Sequence, residues 1–183
     1  LAEQVKAGKI RMIGLSNETA WGAMRWLSES ERLGLPRMQS IQNAYSVLNR
    51  SFEVGLAEVA IREQCGLLAY SPLGMGILSG KYIGGKAPAS ARLNQFHQFV
   101  RYRGPITESA VAKYVGIARR HGLDPAQMAL AYVNSRPFLT ANIIGATTME
   151  QLKSNIASID IKLSPEILNE IDQVNREHTY PCP

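Results

Sequence analysis

Four short apolar runs alternate with segments of helical period, and this alternation constrains the fold more than any other feature of the chain. Ile10-Arg11-Met12-Ile13-Gly14-Leu15, Met38-Gln39-Ser40-Ile41-Gln42, Gly66-Leu67-Leu68-Ala69-Tyr70 and Asn142-Ile143-Ile144-Gly145 have the length and composition of strands. A short helix over 1–7, stopped at Gly8, precedes the first run. After it, Trp21, Met24 and Leu27 recur at helical spacing until Gly34 and Pro36, and Leu56, Val59 and Ala60 share a helix face after the second. A helix over 107–121 turns Val111, Val115 and Ala118 inward. Asp124-Pro125-Ala126-Gln127 and Thr148-Met149-Glu150-Gln151 are capping-box starts, the second opening a helix with Leu152 and Ile156 inward, and Ser164-Pro165 starts a last helix through Val174. Strands that alternate with helices pair in parallel through right-handed crossovers, so the fold class is α/β.

The carboxyl ends of the four runs share a bias. Ser16-Asn17, Gln42-Asn43, Tyr70-Ser71 and Gly145-Ala146-Thr147-Thr148 are small or polar, and in a parallel sheet or barrel those ends lie on one face, where such folds bind ligands. The stretch 66–82 begins as strand and becomes a loop of glycines, hydroxyls and a lysine. An aromatic at a strand end offers a flat face to a ring, and glycines let backbone N–H groups approach a phosphate. Taken alone, the same stretch also describes a core tyrosine followed by Ser71-Pro72 as a strand terminator. Gly74, Gly76 and Gly80 are one residue out of register with the dinucleotide fingerprint, so a nucleotide here is held in another way. The connection over 71–105 far exceeds the usual length of about 4–6 residues, which points to a lid or a cofactor clasp.

At 183 residues the chain has room for one domain with a sizeable core. Twenty basic against 15 acidic residues give a net charge of +5, which favours an anionic ligand but is spread too evenly for nucleic acid. No apolar run is long enough to span a membrane, and the start has no signal-peptide pattern, so a cytoplasmic setting is expected. Leu1 stands where an initiator methionine would, so the chain reads as beginning mid-protein. Cys65 and Cys182 fit neither a metal spacing nor a disulfide framework.

Five ordered motifs carry a family resemblance across essentially the whole chain: Ile13-Gly14-Leu15-Ser16-Asn17, Ile41-Gln42-Asn43-Ala44-Tyr45-Ser46, Ala69-Tyr70-Ser71-Pro72-Leu73-Gly74, Ser79-Gly80-Lys81-Tyr82, and Ile144-Gly145-Ala146-Thr147-Thr148 through Gln151 to Asn155. They resemble the carboxyl-terminal half of the aldo-keto reductases, most of all the bacterial Tas-type members. The resemblance implies the (β/α)8 TIM-barrel family, this chain supplying strands five to eight, and hydride transfer between NADPH, or NADH, and a small carbonyl compound. It implies that Ser16, Asn17 and Gln42 hold the nicotinamide carboxamide and that Tyr70 stacks on the ring. Ser71, Leu73, Gly76, Ser79 and Lys81 would line the pyrophosphate, with Arg92 at the 2′-phosphate. Gly145, Thr147, Gln151 and Asn155 would surround the adenosine.

Two departures follow. Many NADP-specific members carry arginine where this chain has Gln151, so the preference for NADPH rests on Lys81 and Arg92. The family's catalytic Asp, Tyr, Lys and His lie on the first half of the barrel, which implies no catalytic residue in this chain. His97, His121 and His178 are read as structural, and Arg101, Tyr102 and Arg103 as a solvated loop, with contact to an acidic substrate the alternative. A half barrel leaves two strand edges that invite a missing half or self-association. A non-catalytic cofactor-sensing or regulatory module is the alternative, as is, more weakly, an open flavin-binding sheet.

Overall fold

The computed structural model describes residues 1–85 and 87–182; Lys86, inside the long connection, and Pro183 lie outside them. Strands β1 (Ile13–Ser16), β2 (Met38–Ala44), β3 (Gly66–Tyr70) and β4 (Leu139–Asn142) form one sheet in that order, every pair parallel. The helices are α1 (Ala2–Lys6), α2 (Ala20–Leu33), α3 (Leu56–Arg62), α4 (Arg92–Gln95), α5 (Pro105–Arg120), α6 (Pro125–Asn134), α7 (Met149–Ala157) and α8 (Pro165–Glu177).

The register separates the sheet into two faces, because side chains alternate along a strand. The row Leu15–Ile41–Leu67–Leu139 points toward the helices, and Ile41, Leu67 and Ala69 are fully buried there. The row Ser16–Gln42–Leu68–Ala141 points the other way and stays half-buried or exposed. Burial of Ile41 and Leu67, the fully enclosed side chains of the first row, stabilises the fold by about 1.5–3 kcal/mol each.

Local capping chemistry starts the helices. Thr19, Asp124, Thr148 and Ser164 accept the backbone N–H of Gly22, Gln127, Gln151 and Ile167. The glutamines do not close capping boxes: Gln127 donates to the Ser154 carbonyl at 3.0 Å, and Gln151 accepts from Thr147.

Several expectations are corrected. β4 lies three residues before the apolar run 142–145, because Leu67 takes the Phe138 carbonyl as its partner and the pairing ends when Ile143 N–H reaches the Ala69 carbonyl. In α2 Leu27 is buried as expected, but the rest of the inward stripe is Gly22, Ala23 and Ser30, small residues that let the helix approach; Trp21, 77 % exposed, and Met24 face outward. In α7 the buried residue is Asn155, and Ile156 points out. The connection after Tyr70 is not structureless: short helical turns at Gly74–Ser79, Ile83–Gly85, Arg92–Gln95 and Val100–Tyr102 carry it to α5.

Two further ties brace the helical side. Arg50 donates to both oxygens of Glu53 and to Asp172 on α8, while Tyr45 donates to Glu53 at 2.5 Å. The end of the chain is anchored as well: Thr107 donates to the Pro181 carbonyl and Cys182 is buried. The outer edges of β1 and β4 have no strand partner among the described residues, and Met12, which leads into β1, is an exposed apolar group.

Candidate active site

The open face and the carboxyl ends of β1, β2 and β3 bring Ser16, Asn17, Gln42 and Tyr70 together. Ser16 and Gln42 are registered neighbours, and the Asn17 N–H continues that ladder to the Gln42 carbonyl at 2.9 Å. The Tyr70 hydroxyl donates to Asn17 Oδ1 at 2.7 Å, across 53 residues of sequence. The Gln42 side chain makes no hydrogen bond among the described residues, so its amide keeps a donor and an acceptor for another molecule. An amide pair beside a half-buried aromatic ring is a donor set that fits a flat carboxamide-bearing ring.

Backbone strain concentrates at the same place. Asn17, Ser71 and Met75 all have positive φ, at 53°, 55° and 57°, which L residues adopt at a cost of about 1–3 kcal/mol where the surroundings enforce it. At β1 the enforcing group is Asn43. Its Oδ1 accepts the Glu18 N–H at 3.1 Å and its Nδ2 donates to the Glu18 carbonyl at 3.0 Å.

The loop after β3 supplies a second group. Ser79 Oγ donates to the Gly76 carbonyl at 2.8 Å, and Lys81 folds back so that a Cβ added at Gly76, whose φ is +91°, would lie 3.1 Å from Lys81 Nζ. Glycine there allows the ammonium to lie against the turn. The Ser71 carbonyl accepts the Gly74 N–H at 2.9 Å and Leu73 packs on the core, while Tyr102, expected in a solvated loop, is buried, which pushes its hydroxyl up.

A third group surrounds the start of α7. Gln151 Oε1 accepts both the N–H and the hydroxyl of Thr147, each at 2.9 Å, and Asn155 Nδ2 donates to the Gly145 carbonyl at 3.2 Å. Below it, Asn142 donates to Asn134, Asn134 to Ser158, and Ser158 to the Asn155 carbonyl, a chain from β4 through α6 to α7. No hydrogen bond among the described residues joins the three groups to one another. Arg92 is brought to none of them: it stands exposed on α4 with its guanidinium 5.9 Å from the centre of the Phe96 ring.

The bonding roles of Asn43, Asn134 and Asn142 were not expected, Asn43 having been read only as a polar strand end. Asn43 and Asn142 are in register with buried Ala69, among apolar residues, a placement that only the strand pairing reveals. Two of the three histidines, His121 and His178, are tied to neighbouring helices. His121 Nε2 lies 2.6 Å from Glu170 Oε1 and Arg120 holds the other oxygen; Glu166 is close by, but both Glu170 oxygens are already engaged. His178 meets Ser109 at 3.3 Å. A cleft of about 440 Å³ opens elsewhere, between the long connection and α5, lined by Ile77, Tyr82, Leu93, Asn94 and Arg103 among others. It contains none of the strand-end residues.

Residues 1–176 match the model of the Aldo/keto reductase family. The chain is 58 % identical over all 183 residues to Protein tas of Escherichia coli (strain K12), covering 53 % of that protein. It is 29 % identical over 180 residues, 94 % of its length, to the L-glyceraldehyde 3-phosphate reductase of the same strain, covering 51 % of it. Over 141 residues, 73 % of the chain, it is 33 % identical to the putative voltage-gated potassium channel subunit beta of Schizosaccharomyces pombe, covering 41 % of it. The chain thus spans about half the length of the curated relatives it matches. On the strength of the family match and of the parallel α/β sheet beneath it, the chain belongs to the aldo/keto reductase family.

Proposed function

We propose that this chain is the cofactor-binding part of an NAD(P)H-dependent oxidoreductase that reduces aldehydes or ketones to alcohols. The observation that carries the reading is the set Ser16, Asn17, Gln42 and Tyr70 on the open face, with Tyr70 bonded to Asn17. The dinucleotide, when bound, supplies the hydride. Asn17 and Gln42 would fix its carboxamide, and Tyr70 would cover one side of the nicotinamide so that the other faces the carbonyl substrate. Ser71, Leu73, Gly76, Ser79 and Lys81, in the clasp 71–105, would hold the pyrophosphate. Gly145, Thr147, Gln151 and Asn155 would hold the adenosine, with the start of α7 offering N–H groups to an anion.

NADPH is the proposed cofactor and NADH the alternative, since Arg92 would have to leave Phe96 to meet a 2′-phosphate. In this reading 1–183 is one domain of a cytoplasmic protein, its strands are the fifth to eighth of a (β/α)8 barrel, and the family's catalytic Asp, Tyr, Lys and His come from strands that pair with the outer edges of β1 and β4. The outer edges of β1 and β4, without a strand partner among the described residues, support it.

A non-catalytic cofactor-sensing role is the second reading, favoured by the likeness to a potassium channel subunit. Titration of the chain with NADPH and with NADH, followed by Trp21 and Trp26 fluorescence, tests the shared premise. Saturable quenching, tighter with NADPH, is the expected result; no response to either contradicts both readings. Carbonyl-dependent NADPH consumption by the protein joined to its barrel-completing half then separates reductase from sensor.

A further inference from the structure

We propose that Asn43 is a positioning residue for the nicotinamide end of the cofactor site, acting through Asn17 and touching no ligand itself; the inference rests on the cofactor reading above. Asn43 lies on the helix-facing side of β2, in register with the fully buried Ala69. A polar side chain there has to be satisfied from within the protein. One residue satisfies both ends of its amide: Glu18 donates its N–H to Asn43 Oδ1 and receives Asn43 Nδ2 at its carbonyl.

Glu18 directly follows Asn17, the residue at which β1 breaks into the left-handed region. Three contacts hold that turn: the Asn17 N–H on the Gln42 carbonyl, the Tyr70 hydroxyl on Asn17 Oδ1, and the Asn43 clamp. Of these only the clamp restrains the chain after the turn. Tyr70 occupies the Asn17 oxygen and one hydrogen of the Asn17 NH2 group goes to Ser16 Oγ at 3.3 Å, which leaves the second as a donor matched to the carbonyl oxygen of a carboxamide. Without the clamp the turn can relax, and Asn17 can rotate its oxygen outward. The clamp is not a helix cap, since Thr19 already caps α2 through the Gly22 N–H at 3.1 Å. Its effect should therefore be separable from helix stability.

The test uses the whole 183-residue chain. Asn43→Leu removes both bonds; Asn43→Asp keeps the acceptor for the Glu18 N–H and loses the donor. Thr19→Ala is the structural control. Hydrogen exchange at the Glu18 amide is read together with the dissociation constants of NADPH and of 2′,5′-ADP, which lacks the nicotinamide. Loss of a hydrogen bond of this kind corresponds to about tenfold in an equilibrium, so Asn43→Leu should speed Glu18 exchange and weaken NADPH about tenfold each while leaving 2′,5′-ADP within about twofold. Asn43→Asp should keep Glu18 protected and weaken NADPH by a smaller factor. Thr19→Ala should lower the unfolding midpoint without changing the ratio of the two affinities. The proposal is overturned if Asn43→Leu leaves Glu18 exchange or NADPH affinity unchanged, or if it weakens both ligands equally. Should the unaltered chain bind neither ligand, the cofactor reading itself fails and takes the positioning role with it, and the exchange data show separately whether the clamp exists.

Discussion

On the helix-facing side of the sheet Ile41, Leu67 and Ala69 are sealed, whereas Ser16, Gln42 and Tyr70, on the other side of the same strands, remain accessible. The alternation of side chains along a strand assigns stability to one face and chemistry to the other. Substitutions on the two faces should therefore report on different things. Asn43 is the informative exception, a polar group on the sealed side whose hydrogen bonds hold Glu18, the residue after the Asn17 turn.

The largest expected effect is on the sealed face. Leu67→Ala should destabilise the chain by about 3 kcal/mol through lost burial and a cavity, against about 1 kcal/mol or less for its neighbour Leu68→Ala, both read from urea unfolding. Equal losses would break the distinction between the faces. Next is the tie to α8: Arg50→Met strands Glu53 beside Tyr45 and Tyr132 and should cost about 2 kcal/mol, with little change at the open face. Burial already pushes the Tyr132 hydroxyl up to about 12, with the Glu53 charge adding to it.

On the open face the expectation reverses. Tyr70→Leu should weaken NADPH about tenfold through loss of the aromatic surface, with the unfolding midpoint nearly unchanged. Tyr70→Phe keeps the ring but frees Asn17 Oδ1, so it should give a smaller loss.

The smallest effect lies far from both faces. The hydrogen bond with His121, and then Arg120, hold the Glu170 carboxyl below the usual carboxylate range. A carboxyl lowered by folding adds stability above its unfolded value of about 4.3, and that stability fades as pH falls through the lower folded value. A plot of unfolding midpoint against pH should show the unaltered chain above Glu170→Gln near neutrality, the gap closing in acid.

What the sequence disclosed and what it hid follow from the range of the interactions. Asp124 and Ser164 announce their helices because a cap bonds a residue three positions on. Ser16, Gln42 and Tyr70 are legible because each sits at the end of an apolar run. β4 was displaced because Ile143-Ile144 mimics a strand, while the choice of partner is made by Leu67. Trp21 and Met24 keep the period of an inward face, but small Gly22 and Ala23 permit the close approach. Asn43 and Asn142 were hidden for a related reason: the clamp of Asn43 reaches back 25 residues to Glu18, and no local pattern encodes it.

The central claim is that the open face, at the carboxyl ends of the strands, is where the dinucleotide sits, and an amide-resolved footprint of NADPH on the chain tests it most directly. Changes are expected at 14–18, 42–44, 70–81 and 145–155, with the strand interiors 38–41 and 66–69 and α5 unchanged. A footprint centred instead on the cleft of Tyr82, Asn94, Arg103 and α5 would contradict it.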